Sequence, residues 1–97
     1  MTLLESLKER RSQILEIAAR HGASNVRVFG SVVRGEETPE SDIDFLIDYD
    51  LEKITPWFPV RLIRDLEAVL GMRVDVVTEE GLKARIREKV TRESIQL

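Results

Sequence analysis

The sequence predicts an α/β fold in which a small mixed sheet of three or four strands has helices packed on one face. The first observation is that three short segments alternate apolar and polar side chains and are rich in β-branched or aromatic residues, as strands are: residues 25–29, 42–49 and 73–78. The second is that apolar residues recur at helical spacing in the segments around them. We therefore expect a single domain that spans residues 1–97.

The predicted elements of the first half follow one another with short connections. Apolar residues at helical spacing predict an amphipathic helix over residues 3–21, and Gly22 is a good residue to end it. The strand NVRVF follows at residues 25–29, and a short helix is expected from Ser31 to about Glu37. A loop over residues 38–41 then leads into the second strand, DIDFLIDY.

The second half of the chain continues the alternation. Thr55 and Pro56 resemble an N-cap followed by the first residue of a helix, and apolar side chains continue at helical spacing as far as Gly71. The third strand, RVDVVT, covers residues 73–78. Apolar residues from Leu82 onward predict a final helix with a basic flank.

The composition limits the possible classes of function. The 97 residues carry a net charge of −3, so we expect no stable binding to nucleic acid, which normally needs an excess of Lys and Arg. The absence of cysteine excludes disulfides, thiolate metal sites and cysteine nucleophiles. No apolar run approaches the roughly 20 residues of a membrane span, and the charged N-terminus differs from a secretory signal. We expect a cytoplasmic protein with no membrane partner.

A pair of acids on the second predicted strand is the strongest chemical feature. Asp42 and Asp44 are two residues apart, so on an extended strand both point to the face opposite the apolar residues. Upstream of the pair, Gly30 and Ser31 form a turn of the kind that lets backbone and hydroxyl approach a phosphate. Carboxylates that hold Mg²⁺ beside a phosphate-binding turn indicate phosphoryl or nucleotidyl transfer.

A third acid interrupts the apolar third strand. Asp75 is flanked by valines, and a central strand rarely carries a charge there without a partner. If the second and third strands are neighbours, Asp75 can join Asp42 and Asp44 on one face. Three carboxylates could then hold two divalent ions, and Asp75 is placed to help deprotonate an attacking hydroxyl.

The acids around this pair form a run without positive charge. No Lys or Arg occurs between Glu36 and Glu52, so the run needs solvent or cations. We expect a solvated rim for most of its members: Glu36, Glu37, Glu40, Asp50 and Glu52. Asp48 continues the face of Asp44, but it lies too far along the strand to bind the same ions.

Residues 29–48, FGSVVRGEETPESDIDFLID, closely resemble the signature of the DNA polymerase beta-like nucleotidyltransferase superfamily. More narrowly, the chain resembles the minimal nucleotidyltransferase (MNT) antitoxins, which are the small partners of HEPN-domain toxins. The resemblance covers nearly the whole chain, from the leading helix to the strand with Asp75. Val33 is a small departure, because family members often carry Ala there.

The resemblance implies a role for each matching residue. Asp42 and Asp44 match the two ligands of Mg²⁺, and Asp75 matches the third acid of a site for two Mg²⁺ ions. Gly30 and Ser31 match the pair that contacts the triphosphate of ATP.

The role of Arg34 stays open at this stage. It is either a phosphate contact, since a guanidinium group matches phosphate oxygens, or a surface residue that pairs with Glu36 or Glu37.

The resemblance also implies a reaction and a partner. MNT antitoxins resemble enzymes that move AMP from ATP to a tyrosine hydroxyl of a cognate HEPN toxin and so silence it. A hetero-oligomer with that toxin is therefore possible. The alternative is an antitoxin without catalysis, which neutralises its toxin by forming a complex.

Two further segments keep two interpretations each. Trp57 and Phe58 either anchor the core or contact a partner. The positive residues after Gly81 either form a solvated helix face or dock an acidic surface or line the nucleotide cleft: Lys83, Arg85, Arg87, Lys89 and Arg92.

Overall fold

A mixed four-stranded sheet forms the centre of the computed structural model, which describes residues 1–97. Its strands are β1 (Ala23–Phe29), β2 (Ile43–Tyr49), β3 (Val74–Thr78) and β4 (Ile95–Gln96), and their order across the sheet is β3-β2-β1-β4. β2 is antiparallel to β1 and parallel to β3, whereas β4 pairs with β1 in antiparallel orientation. The three predicted strands are confirmed with small shifts of their ends, and β4 completes the sheet.

Five helices accompany the strands: α1 (Leu3–Glu9), α2 (Arg11–Arg20), α3 (Ser31–Arg34), α4 (Val60–Leu70) and α5 (Ala84–Glu93). The short helix α3 follows β1 after Gly30 and ends at Arg34, with Gly35 as its C-cap, before the predicted Glu37. A 3₁₀ turn at Glu79–Gly81 connects β3 to α5. The predicted fold class, a small mixed sheet with helices packed against it, is therefore confirmed.

The single helix predicted over residues 3–21 is wrong in one respect, because it is two helices with a break at Arg10. The backbone of Arg10 has φ −96° and ψ 13°, outside helical values. Leu7 in α1 and Ile14 in α2 are both fully buried in the same core. Apolar residues thus recur on both sides of the break, and spacing alone does not reveal it. Gly22 follows α2 with a positive φ of 78°, in keeping with the predicted end.

The predicted start of α4 at Thr55 and Pro56 is also wrong. The helix begins at Val60, after Pro59, and the preceding residues form turns. The N–H of Phe58 donates to the carbonyl oxygen of Thr55 at 3.0 Å, which closes one of them. Proline disfavours a helical backbone at the residue before it, so the helix does not begin before Pro59. Its end at Gly71 is confirmed by a left-handed φ of 69°.

The two faces of the sheet differ in what covers them. One face joins α2 and α4 in the main core through apolar residues of three strands: Val26, Val28, Ile43, Phe45, Ile47, Val74 and Val76. On β2 the alternate positions are Asp44, Leu46 and Asp48, which face the other way. Helix α5 lines a cleft on this second face together with Asp44, so the acid face is only partly open.

Trp57 does not anchor the core, because its side chain is 63% exposed. Phe58 is half-buried and packs against the core near Tyr49, with ring centroids 5.7 Å apart. The core interpretation therefore holds for Phe58 alone. No helix combines the length and the apolar character needed to cross a bilayer.

Candidate active site

A row of residues across three neighbouring strands defines the candidate site. In the antiparallel pairing Phe29 of β1 is the partner of Asp44 of β2, and in the parallel pairing Asp44 is the partner of Asp75 of β3. Partner residues present their side chains on the same face of a sheet. Gly30 follows Phe29 directly. The fold thus places the Gly-Ser turn on one side of Asp44 and Asp75 on the other.

Asp44 is the electrostatic centre of this row. Burial, and then the neighbouring carboxylates of Asp75 and Asp42, together raise the pKa of Asp44 to about 6, whereas Arg34 acts to lower it. Like charges this close disfavour simultaneous ionisation. The structure therefore brings the three predicted acids near enough to interact, with Asp44 as the most strongly affected member.

Position 30 requires glycine for two reasons, its backbone conformation and the proximity of Asp44. Its φ of 81° and ψ of −152° lie in a region that is essentially restricted to glycine. A Cβ atom at this position would overlap Oδ2 of Asp44. The absence of a side chain is what lets the turn lie directly against the carboxylate, as expected for a turn that approaches a ligand closely.

Asp42 lies at the margin of the site. It precedes the first residue of β2 and is exposed, and its Oδ1 lies 3.0 Å from Nε of Arg73. Arg73 also donates to the carbonyl oxygen of Glu40, and its own carbonyl accepts the N–H of Ile43 at 2.9 Å. Arg73, which directly precedes β3, thereby holds the residues at the start of β2. The structure contains no group of three or more acids or histidines arranged around one metal position.

The donor set nevertheless fits a hard divalent cation. Asp44 and Asp75 offer carboxylate oxygens from register partners, with Asp42 close to them, and such oxygens are the ligands that Mg²⁺ prefers. Burial, and then the carboxylates of Asp75 and Asp42, disfavour the ionised form of Asp44 and raise its pKa, and a bound cation would stabilise that ionised form. For this fit, Asp42 has to give up its contact with Arg73 and turn its carboxylate to the cation.

A cavity of about 380 Å³ adjoins Asp44 on the side of the Gly-Ser turn. Its polar lining consists of Gly30, Ser31, Arg34, Asp44, Lys89 and Glu93. Phe29, Ile86 and Val90 supply the apolar part of the wall. Positive groups, a backbone turn and apolar surface in one cavity match the parts of a nucleotide.

A second cavity, also about 380 Å³, lies at the other ends of β2 and β3 and has a largely apolar lining that includes Tyr49, Phe58 and Val76. Its lining contains no acid, so the first cavity is the candidate site.

Arg34 forms the predicted ion pair with Glu36, and its contact with a phosphate stays a prediction. Its Nε donates to Glu36 at 2.6 Å, and its Nη1 donates to both carboxylate oxygens of Glu93 at 2.9 and 3.1 Å. These hydrogen bonds, first with Glu36 and then with Glu93, raise the pKa of Arg34, so it stays positive. The pairing with Glu36 was expected, whereas Glu37 makes no such bond. Arg34 also lines the cavity, as a phosphate contact would.

The sequence interpretation missed the contribution of Glu93. The N–H of Gly30 donates to Oε1 of Glu93 at 2.7 Å, which brings the end of α5 to the Gly-Ser turn. The one available signal was helical spacing, since Ile86, Lys89, Val90 and Glu93 share a face of α5. Lys89 lines the cavity, in keeping with one interpretation of the basic segment.

Two other positive residues of α5 have partners elsewhere. Nε of Arg87 donates to the carbonyl oxygen of Glu79 at 2.7 Å, and Arg92 lies 2.5 Å from Glu88.

The remaining acids of the run lie outside the cavity. Asp48 accepts hydrogen bonds from Asn25 and from the buried Arg27, each at 3.0 Å, and Arg27 also bonds to Glu79 at 3.0 Å. Asp48 thus serves a structural network, in keeping with its expected distance from the site. Asp50 lies 4.0 Å from Lys53, and Glu40 and Glu52 are exposed.

Comparison with known proteins agrees with the geometry. The sequence profile of the family described as "Nucleotidyltransferase domain" matches residues 3–97. The chain is 41% identical over 80 residues to the protein adenylyltransferase MntA of Thermococcus cleftensis, which covers 82% of this chain and 80% of that protein. It is 32% identical over 92 residues to a protein of Methanocaldococcus jannaschii that carries a provisional protein adenylyltransferase name, covering 95% and 98%.

Solved structures show the same fold. One assigned by name to the minimal nucleotidyltransferases is 50% identical, with a TM-score of 0.83 and coverage of 100% of this chain and 97% of that one. A chain from the crystal structure of a toxin–antitoxin with AMP-PNP matches the fold with a TM-score of 0.71 at 20% identity, covering 88% and 69%. The family profile matches almost the full length of this chain, and one relative is 41% identical to it. This chain therefore belongs to the nucleotidyltransferase domain family and is a minimal nucleotidyltransferase.

Proposed function

We propose that this nucleotidyltransferase is a Mg²⁺-dependent protein adenylyltransferase that moves AMP from ATP to a tyrosine hydroxyl of a HEPN toxin, and so acts as an antitoxin. Two comparisons support the proposal. The relative from T. cleftensis is named a protein adenylyltransferase, and the fold recurs in a toxin–antitoxin structure with AMP-PNP. A cytoplasmic location and a single domain over residues 1–97 stay predictions.

The observation that carries the proposal is the row Phe29, Asp44 and Asp75 across β1, β2 and β3, with Gly30 directly after Phe29. It separates the site into two sides. The cavity beside Gly30 contains the donors suited to a triphosphate, whereas Asp75 is exposed on an edge strand of the sheet. Asp44 lies between them, where the α-phosphate has to meet the acceptor.

On the nucleotide side, each group has a defined task. The N–H of Gly30 and the hydroxyl of Ser31 donate to phosphate oxygens, and the guanidinium of Arg34 adds a charged donor. Lys89 extends the positive wall from α5. These groups orient the triphosphate so that its α-phosphorus faces Asp44 and the incoming hydroxyl.

Asp42, Asp44 and Asp75 are the residues that would hold Mg²⁺. When bound, Mg²⁺ supplies charge neutralisation for the phosphates and lowers the pKa of the acceptor hydroxyl. Asp44 is the central member of this set, since it is the register partner of Asp75 and the carboxylates of Asp75 and Asp42 both act on its pKa. Asp42 joins when it leaves Arg73.

The transfer is a substitution at phosphorus with balanced atoms. The acceptor oxygen forms a bond to the α-phosphorus of ATP, and the bond from that phosphorus to the oxygen that bridges to the β-phosphorus breaks. Pyrophosphate leaves with the electron pair of the broken bond. The hydroxyl proton passes to a carboxylate oxygen of Asp75, which faces the exposed edge from which a protein acceptor can approach.

The test uses the purified protein and the HEPN protein encoded beside its gene. With Mg²⁺ and ATP labelled at the α-phosphate, the HEPN protein should gain label, and mass spectrometry should locate AMP on tyrosine. ATP labelled at the γ-phosphate should give no label, because pyrophosphate leaves. Failure to label any HEPN protein with α-labelled ATP would contradict the proposal.

Two variants distinguish catalysis from neutralisation by binding. Asp44→Asn should abolish labelling and also the rescue of cells that express the toxin. Glu52→Gln removes an exposed acid in the turn after β2 and should change neither. If Asp44→Asn still rescues cells while it transfers no label, the chain is an antitoxin that acts by complex formation.

A further inference from the structure

The carboxylate of Glu93 occupies the donors that the proposed function assigns to the triphosphate. Its Oε1 accepts the N–H of Gly30 at 2.7 Å and Nη1 of Arg34 at 2.9 Å, and its Oε2 lies 3.1 Å from the same Nη1. The Glu93 side chain is 20% exposed and that of Arg34 is 45% exposed, so the carboxylate is the more shielded member of the pair. A backbone N–H and a guanidinium converge here on one anionic group.

A carboxylate in this position resembles a phosphate in its chemistry. Both present oxygens with delocalised negative charge, and both form short charge-assisted hydrogen bonds with guanidinium and backbone N–H groups. The N–H of Gly30 and the donor atoms of Arg34 cannot serve both anions fully at once. Glu93 also adds to the negative potential at Asp44, on which it acts to raise the pKa.

Glu93 reaches the turn from a helix that is otherwise the opposite wall of the cavity. Ile86, Lys89 and Val90 line the same cavity one and two turns earlier on α5. The ion pair therefore connects the far end of this wall to α3 and to the Gly-Ser turn. No other ion pair joins α5 to Arg34 or to the turn.

From this geometry we propose that Glu93 is an internal competitor for the phosphate position, which the nucleotide displaces when it binds. The inference rests on the proposed placement of the nucleotide and extends it with a regulatory group that controls affinity. Displacement frees the Glu93 carboxylate and leaves Gly30 and Arg34 to the phosphates. Because only the displaced form binds, the apparent affinity is reduced by the fraction of molecules in that form.

Calorimetric titration of the full chain with ATP in EDTA tests the competition without metal or catalysis. Glu93→Gln removes the negative charge at nearly constant shape, and it should bind ATP about tenfold more tightly than the wild type, equivalent to about 1.4 kcal/mol. Glu88→Gln is the matched control, because Glu88 lies on the same helix, is exposed and pairs with Arg92. It should bind ATP as the wild type does.

Equal or weaker binding of ATP by Glu93→Gln, with wild-type binding intact, overturns the inference and leaves the proposed function in place. If neither protein binds ATP in EDTA, the same comparison is made with Mg²⁺ present. If neither binds ATP there either, the nucleotide placement itself fails, and the inference fails with it.

A measurement on the wild type keeps the test independent of the folding of any variant. With side-chain carboxyl carbons labelled, saturating ATP in EDTA should shift the NMR resonance of Glu93 while that of Glu88 stays constant. A Glu93 resonance that does not move at saturation shows that the carboxylate keeps its partners, which overturns the inference.

Discussion

The Asp44 carboxylate fills the space that a side chain on residue 30 would need. Oδ2 of Asp44 lies within overlap distance of a Cβ built on Gly30, and the φ of Gly30 is 81°. The Gly-Ser turn and the central acid are therefore in direct contact. This contact explains why the turn carries glycine, and it makes the position of Asp44 sensitive to any substitution there.

Gly30→Ala should lower the rate of AMP transfer by at least roughly 100-fold, because the Cβ displaces Asp44 from its position. It should also destabilise the fold by about 1–3 kcal/mol, the usual cost of such a backbone conformation for a residue with a side chain. Gly71→Ala is the matched control, since Gly71 has a φ of 69° and nothing within 4 Å of an added Cβ. Gly71→Ala should lose about 1–2 kcal/mol of stability and keep its transfer rate. Equal losses of activity in both variants would show that strain, and not the overlap with Asp44, determines the rate.

The raised pKa of Asp44 predicts how stability depends on pH in EDTA. The pKa of Asp44 rises from 3.8 to about 6 on folding, so between these values the folded protein binds a proton that the unfolded chain does not. Stability from this group is complete at low pH and is lost as the pH rises through about 6. Asp44→Asn should remove this pH dependence. Near neutral pH its free energy of unfolding should exceed that of the wild type by roughly 1 kcal/mol, after allowance for solvent screening. Urea unfolding of both proteins across this range measures the difference, and a constant difference at every pH would contradict the prediction.

Asp75 should act on Asp44 as well as on the acceptor. Because Asp75 is the strongest charged contributor to the raised pKa of Asp44, Asp75→Asn should lower the pKa of Asp44 toward 3.8. NMR titration of the Asp44 carboxyl carbon measures this shift directly. The same variant should lose AMP transfer while it unfolds at about the wild-type temperature, since Asp75 is exposed. An unchanged pKa of Asp44 would place the two carboxylates too far apart to share a cation.

Arg73 should compete with Mg²⁺ for Asp42. Arg73→Gln frees the Asp42 carboxylate from an exposed ion pair, and such pairs contribute about 0–1 kcal/mol. We expect the Kd of Mg²⁺ for the ATP-bound protein to fall by up to about fivefold, as measured by calorimetry. Arg64→Gln, an exposed position on α4, is the control and should bind Mg²⁺ normally. Weaker binding in Arg73→Gln would mean that Arg73 positions Asp42 instead of competing for it.

Several parts of the fold and site followed from local patterns. Alternating residues predict β2 and β3, and the acid at 75 is anomalous in an apolar strand whatever its neighbours are. The glycines at 22 and 71 end their helices with positive φ, as their positions predict. The exact start and end of some helices were missed, namely the break at Arg10 and the start of α4 at Val60. Apolar residues recur at helical spacing through both segments, so the spacing does not indicate where these helices break or begin.

The amino-acid sequence alone determined which residue types the candidate site offers, because residue type and spacing are local properties: two acids two residues apart, a third in a later apolar segment, and a Gly-Ser pair upstream. Only the tertiary structure decided the register that makes Asp44 and Asp75 partners, the ion pair that holds Asp42 to Arg73, and the arrival of Glu93 at Gly30. These contacts join residues far apart in the chain. They depend on how strands pair and helices pack, which no local pattern specifies.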